Sequence, residues 1–398
     1  MRTIPKVALL IETSRGYGRA LLRGIVRYAR LHGPWSFYLT PADFRQVLPR
    51  MEQWGGTGII ARVETPEVAR QIVASRLPTV CLDLNAEQLD DHNPLAQMGE
   101  IHPDADRTAC LAADHLLERG FRHFAFVGVG GRRRWSEQRQ AAFAARLGEQ
   151  GFTCHQYRPP ALRADLPSVD GRQWGREESR LARWLVGLPR PLGLMACNDD
   201  RGRQVLEVCR THSIRVGEEI AVVGVDNDEL LCEMADPPLS SVALNAERGG
   251  FEAARLLDDY MAGRVRGPRR LLVEPLHVVT RSSTDVVALE DAEVARALRF
   301  IREHACTNTF QVDDVIRQGA LSRRTLEIRF RRALRRSVQD EIERVRLERV
   351  KRLLAESDAP VTRLAELTGF NTASYMGLVF RRQTGKTPRQ YRTWVRSR

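Results

Sequence analysis

Short apolar runs alternate with amphipathic stretches through the first two-thirds of the chain. Residues 7–11 (Val-Ala-Leu-Leu-Ile) read as a strand, and residues 19–31 behind them as a helix. The runs at 58–61, 79–82, 124–128, 193–196 and 220–224 repeat the strand pattern, several with a helical stretch behind. Strands apolar at nearly every position are buried on both faces, and β alternating with α builds parallel sheets. There are too many units for one such sheet. The pattern predicts an α/β region of two lobes, each a doubly wound parallel sheet, flanking a cleft. Ligands of such sheets bind beyond the carboxyl ends of the strands.

From about residue 288 the period becomes helical, and one unit occurs twice. Ser322-Arg323-Arg324-Thr325-Leu326, then Phe330-Arg331-Arg332, recurs fifty residues on as Thr372-Ala373-Ser374-Tyr375-Met376, then Phe380-Arg381-Arg382. Gly319 pairs with Gly369 and Val315 with Ala365 in the same register. Each copy reads as a short helix, a turn around glycine, and a basic second helix opened by a Ser or Thr cap. That is the helix-turn-helix pattern, whose second helix enters the DNA major groove. Residues 338–356 between the copies read as one helix, with Ile342, Val345, Val350, Leu353 and Leu354 as its apolar stripe. Such a helix spans roughly 25–30 Å, enough to hold two reading helices about one DNA turn, roughly 34 Å, apart. The predicted organisation is an α/β region at 1–284 and an all-α region with two helix-turn-helix units at 285–398.

Charge sharpens this division. The chain carries 62 Lys+Arg against 50 Asp+Glu, a net +12. From Asp291 onward there are 24 against 13, a net +11, which leaves 38 (62 − 24) against 37 (50 − 13) before it. The positive excess therefore sits with the repeated unit, where a polyanion is met. Base reading falls to exposed residues of each second helix: Ser322 at the cap with Arg323, Arg324 and Glu327, and Asn371, Thr372, Ala373 and Ser374. Arg331, Arg332, Arg381 and Arg382 fit phosphate contacts, which give affinity without sequence information.

Other chemistry is sparse. Gly16-Tyr17-Gly18 is followed by Leu21 where a dinucleotide fingerprint needs its third glycine, and Gly128-Val129-Gly130-Gly131 has no Lys-Ser/Thr behind it. His102, His115 and His123 lack metal-ligand spacing, and no nucleophile, base and orienting group form a set. Seven scattered cysteines without a C-x-x-C read mostly as reduced core residues. No signal peptide and no apolar run of about 18 residues is visible. The expectation is a cytoplasmic protein with no catalytic residues, metal or cofactor. Arg132-Arg133-Arg134 reads as an exposed turn. Polar residues do gather at strand ends: residues 12–19, Asn198-Asp199-Asp200-Arg201 and Asp226-Asn227-Asp228. Carboxylates and amides suit the hydroxyls of a neutral polyol, and Tyr17, Phe44, Trp54, Trp135 or Trp174 could cover its C–H face. Helix caps and turns explain the same residues, and spacing alone favours them.

The C-terminal stretch resembles the AraC/XylS family of bacterial transcription regulators. The residues that carry the likeness are Val361-Thr362-Arg363-Leu364-Ala365, Thr368-Gly369-Phe370, Ser374-Tyr375, Phe380-Arg381-Arg382, Thr384-Gly385-Lys386-Thr387-Pro388 and Tyr391-Arg392. The front resembles the sugar-binding core shared by lactose-repressor-type regulators and periplasmic sugar-binding proteins. Here Arg139-Gln140-Ala141-Ala142-Phe143, Ala196-Cys197-Asn198-Asp199 and 222–227 carry the likeness. The resemblance implies a sugar effector held by Ser14, Tyr17, Arg139, Asp199 and Asp226. It also implies activation of a sugar (xylose-like) catabolic operon, by a homodimer meeting double-stranded operator DNA and RNA polymerase, with no membrane partner. A repressor, or a DNA binder whose front only dimerises, fits the residues too. A DNA-repair alkyl transferase bearing the same reader would need a reactive Cys motif that is absent. Two residues depart from the family pattern: Arg335 replaces a glycine after the first reading helix, and Met376 replaces an aromatic, where it is expected to fill the core.

Overall fold

The computed structural model describes residues 4–39, 48–130, 133–157, 159, 171–285, 291–307, 310–334 and 336–397. The chain divides into two compact units: residues 1–116 with 122–285, and residues 286–398 with 117–121.

The first unit holds the strands β1 (Lys6–Leu10), β2 (Ser36–Leu39), β3 (Gly58–Arg62), β4 (Thr79–Leu82), β5 (Gly99–Pro103) and β6 (His123–Val127). They continue as β7 (Cys154–Tyr157), β8 (Leu192–Ala196), β9 (Ile220–Asp226), β10 (Ser240–Ala243), β11 (Arg270–Val273) and β12 (Val278–Val279). Two six-stranded sheets result, ordered β2-β1-β3-β4-β5-β11 and β7-β6-β8-β9-β10-β12. Pairing is parallel in both except between β10 and β12. The chain passes between the sheets after β5, between β10 and β11, and between β11 and β12, so each lobe is closed by a late strand. The predicted α/β class, with two doubly wound parallel sheets and then helices, is what folds.

Alternation along the strands explains the continuous apolar runs. Val7 and Leu9 of β1 enter one cluster with Leu21, Ile25 and Leu257, while Ala8 and Leu10 enter another with Ile59, Ile72 and Cys81. Both faces of the sheet are covered, so both sets of side chains must be apolar. The helix Gly16–His32 starts three residues before the sequence suggested, because the Asp228 carboxylate accepts from the Gly16 N–H at 2.6 Å and caps it from outside. Gly16-Tyr17-Gly18 serves packing rather than phosphate: a Cβ on Gly18 would strike the Glu12 carbonyl, and one on Gly24 the Glu247 carbonyl of the helix Ala246–Met261.

Arg134 corrects an expectation. Rather than standing in an exposed turn, it opens the helix Arg134–Glu149 and donates to Glu100 at 2.7 Å, a carboxylate almost wholly buried on β5. Arg133 is exposed and bonds Glu64 at 2.8 Å; Arg132 lies outside the described residues. All seven cysteines are free thiols, with Cys81, Cys197, Cys209 and Cys232 buried. Among the described residues, no helix is long and apolar enough to cross a membrane, and no group of three or more His, Cys, Asp and Glu could hold a metal.

The second unit is helical: Ala292–His304, Val312–Arg317, Arg323–Leu334, Val338–Glu356, Val361–Leu367, Ala373–Thr384 and Pro388–Ser397. It has two small cores. Leu298, Val315, Leu326, Phe330 and Ile342 centre the first; Val350, Leu364, Met376 and Phe380 centre the second. Met376 is fully buried, filling the place of the aromatic. The spacer helix Val338–Glu356 starts in a capping box between Ser337 and Asp340 and contributes to both cores, through Val338 and Ile342, then Leu347, Val350 and Leu354. Arg346, in its middle, is buried; it donates to the Ala305 and Phe310 carbonyls at 2.7 Å each and lies over the Phe370 ring. Arg335 falls outside the described residues.

Candidate ligand cleft and nucleic-acid interface

The carboxyl ends of β1, β3, β4 and β9 carry the groups that converge between the lobes. Tyr17 follows β1, Arg62 ends β3, Asp83 follows β4 and Asp226 ends β9. Burial pushes the Tyr17 hydroxyl well above its ordinary pKa, with the charges of Asp83, Arg62, Asp226 and Arg139 all acting on it. Burial likewise raises the Asp226 carboxyl, against the pull of Arg139, Arg62 and Arg15. Two lobes thus face each other through two carboxylates, two guanidinium groups and a phenol. Such a set donates to and accepts from a ring of hydroxyls.

Asp226 is held in an unusual backbone shape. Its φ is 106° and that of Asn227 is 51°, a region that costs residues with a side chain about 1–3 kcal/mol. The neighbours that enforce it are specific. Ser241 Oγ accepts from the Asn227 N–H at 3.0 Å, and Arg281 donates to the Asn227 side chain at 2.9 Å. Asp199 sits beneath: its Oδ2 accepts from the Asp228 N–H at 2.8 Å and its Oδ1 from the Ser241 hydroxyl at 2.6 Å. With 1% exposure, Asp199 has both oxygens engaged inside the lobe, and burial together with Asp226 raises its pKa. Its neighbour Asn198 caps the following helix through its oxygen, accepting from Arg201 N–H at 3.0 Å. Asp199→Ala is expected to lower stability by about 1–3 kcal/mol, since it strands a buried N–H and a hydroxyl. Urea unfolding tests this; an unchanged midpoint with lost effector affinity would place Asp199 in direct contact with the ligand instead.

Arg139 is buried, donates through Nη1 to the Cys197 carbonyl at 2.5 Å, and lies 5.0 Å from the Trp135 ring centre. The Arg139 Nε–H and the Trp135 Nε1–H are both buried without a hydrogen-bond partner. Buried donors are nearly always paired, so two orphans side by side on one helix mark a place where acceptors are wanted. Ser14 is exposed on the loop after β1, and its hydroxyl donates to Glu12. Among the aromatics, Tyr17 and Trp135 reach the cluster, while Trp54 packs on Tyr38. Phe44 lies outside the described residues, as does the side chain of Trp174. Sequence reading did not single out Arg62 and Asp83. Each stands alone behind an apolar strand, and only their common position at strand ends could have marked them.

In the helical unit, both second helices are capped as the repeat predicts. Ser322 Oγ accepts from the Thr325 N–H at 3.3 Å and Thr372 Oγ1 from the Tyr375 N–H at 3.1 Å. The Thr372 oxygen is therefore engaged in the cap. Arg324, Asn371 and Ser374 are exposed; Arg323 is exposed and pairs with Asp313 at 3.1 Å, while Ala373 packs against the second core. Glu327 is half-buried with Arg331 at 3.8 Å. Arg331, Arg332, Arg381 and Arg382 are all exposed on the last turns of the two helices. Glu343 of the spacer receives the Tyr375 hydroxyl at 2.9 Å and stands 3.4 Å from Arg382, which fixes the second reader's angle on the spacer.

Three family models match the chain: the XylR N-terminal domain over residues 6–97, a periplasmic binding protein-like domain over 113–284, and a helix-turn-helix domain over 317–393. The chain is 28% identical to the xylose operon regulatory protein of Escherichia coli (strain K12) over 390 residues, covering 97% of this chain and 96% of that one. It is 29% identical to the protein of the same name from Haemophilus influenzae, over 97% and 98% of the two chains. Of solved structures, the xylose-binding transcription activator xylR matches with a TM-score of 0.62 at 28% identity over 99% of each chain. The regulator CelR in complex with cellobiose matches 71% of this chain and 85% of its own, at a TM-score of 0.54 and 21% identity, a likeness of fold.

The chain is a DNA-binding transcription regulator in which a sugar-binding, periplasmic-binding-protein-like region precedes an AraC-type helix-turn-helix region; it is not an enzyme. It is a homologue of the xylose operon regulatory proteins.

Proposed function

We propose that this regulator binds a xylose-like pentose in the cleft and, as a cytoplasmic homodimer, activates a catabolic operon for that sugar through contact with RNA polymerase. Asp226, Arg139 and Tyr17 take the sugar hydroxyls, joined by Arg62 and Asp83 of the first lobe. Asp199 acts from behind by holding the Asp226 loop. Ser14 stands at the rim. The DNA contacts are those of the two capped helices, with Arg324, Asn371 and Ser374 toward bases and Arg331, Arg332, Arg381 and Arg382 toward phosphates. The observation that carries the sugar reading is the pair of buried, unpartnered donors on Arg139 and Trp135, set beside a half-buried carboxylate in a strained loop.

By linkage, the sugar must bind the DNA-competent arrangement more tightly, and operator DNA must in turn tighten sugar binding. A thermal-shift screen across pentoses, hexoses and deoxy sugars tests the ligand class. A sugar present at a hundred times its dissociation constant should stabilise the native state by about 2.7 kcal/mol. The largest shift is expected from a pentose such as xylose; a screen that moves only with hexoses would overturn the pentose assignment.

A further inference from the structure

We propose that Ile328 and Leu378 read thymine through its C5-methyl group, one in each of the two groove segments that a protomer covers. This rests on the assignment of the two capped helices to the major groove. Ile328 is 59% exposed and Leu378 is 63% exposed. They lie fifty residues apart, the period of the repeat, and so hold the same place in the two recognition helices. At about 3.6 residues per turn, each sits one turn beyond Arg324 or Ser374 on the same face. Each also points away from the residues its helix buries: Leu326, Phe330 and Leu334 in the first, Met376, Val379 and Phe380 in the second.

A single exposed aliphatic side chain is ordinary on a protein surface. The same kind of side chain at the outermost line of both reading helices is a different matter, because arginines surround it. Arg324, Arg331 and Arg332 flank Ile328, and Arg381 and Arg382 flank Leu378. That charge selects DNA as the occupant of this face over an apolar protein surface. An aliphatic group can neither donate nor accept, so it cannot read the polar edges of the bases. The apolar feature that the major groove displays is the thymine methyl. Burying one methyl group between protein and DNA is worth about a fourfold preference, and two readers apply it twice along the site.

The test uses the full-length protein. The tightest duplex is selected from a randomised library, then resynthesised with each thymine in turn replaced by deoxyuridine, which lacks the methyl. The expected result is at least one thymine in each groove segment of a protomer's site whose replacement weakens binding about fourfold. Ile328→Ala should erase that penalty in one groove segment of every protomer's site and Leu378→Ala in the other, with the remaining positions unchanged. Both side chains are exposed, so neither variant opens a core, and thermal unfolding confirms it. Deoxyuridine penalties that persist in both alanine variants would overturn the inference. So would alanine variants that lose transcription while keeping DNA affinity and thymine preference, which would assign the two side chains to a protein partner. A library that yields no preferred duplex at all is a separate failure, of the groove assignment itself.

Discussion

Asp226→Ala is expected to abolish the sugar response while leaving the fold and basal DNA binding close to wild type. The carboxylate sits half-buried at the end of β9 with Arg139, Arg62, Tyr17 and Asp83 around it, on a loop held by Asp199 and Ser241. Charged hydrogen bonds to two sugar hydroxyls, each worth about 1.5–3 kcal/mol, would be lost. The sugar dissociation constant should rise by about a hundredfold or more, which calorimetry measures directly. Unaltered sugar binding would remove Asp226 from the site; loss of folding would make it a structural turn residue.

The same side chain predicts a dependence on pH. Burial, the largest cause, raises the Asp226 carboxyl to about 6 in the folded chain, against about 3.9 in an unfolded one. A raised carboxyl binds its proton more readily when folded. Its contribution to stability is therefore complete below about pH 4 and is lost as the pH rises through about 6. Asp226→Asn removes that loss. Without sugar, the variant should melt with the wild type at pH 4 and several degrees above it at pH 8. Coincident melting curves across that range would show that the carboxylate carries no burial cost.

DNA affinity is expected to collapse with salt. Four arginines per protomer (Arg331, Arg332, Arg381, Arg382) are assigned to phosphates, and each phosphate neutralised adds about 0.9 to the slope of log affinity on log salt. From 50 to 200 mM salt a single protomer should lose roughly a hundredfold in affinity, and a dimer the square of that. Arg381→Ala should lower the slope by about one unit and weaken all sequences alike. Titrations at several salt concentrations decide it; a flat response would mean that the +11 of this region does not face DNA.

The sequence showed most of the architecture because the physics that makes it is local. Buried parallel strands must be apolar on both faces, so 7–11 and 220–224 stand out with no partner known. Helix caps recur at fixed spacing, so Ser322 and Thr372 mark the two readers. What stayed hidden depends on which distant segments meet. Arg134 looked exposed because nothing near it in the chain says that Glu100, thirty-four residues earlier, lies buried opposite. Arg62 and Asp83 are single polar residues behind strands, and only the assembled sheet turns them toward Tyr17. Asn198 and Asp199 are neighbours of similar size; the backbone alone decides that Asp199 turns inward to Ser241. Ile328 and Leu378 match the apolar spacing poorly, and burial of their helices' other faces was needed to notice them.

The spacer helix also bears on how this region could have arisen and how it can be cut. Its first half completes one core and its second half the other, and Arg346 holds Ala305 and Phe310 on one side while covering Phe370 on the other. A chain ending after the spacer would leave Leu347, Val350 and Leu354 facing water. The two readers are duplicated as text but not as independently folding modules. Inherited change in one is therefore constrained by the other, and the distance between the two helices cannot drift without rebuilding both.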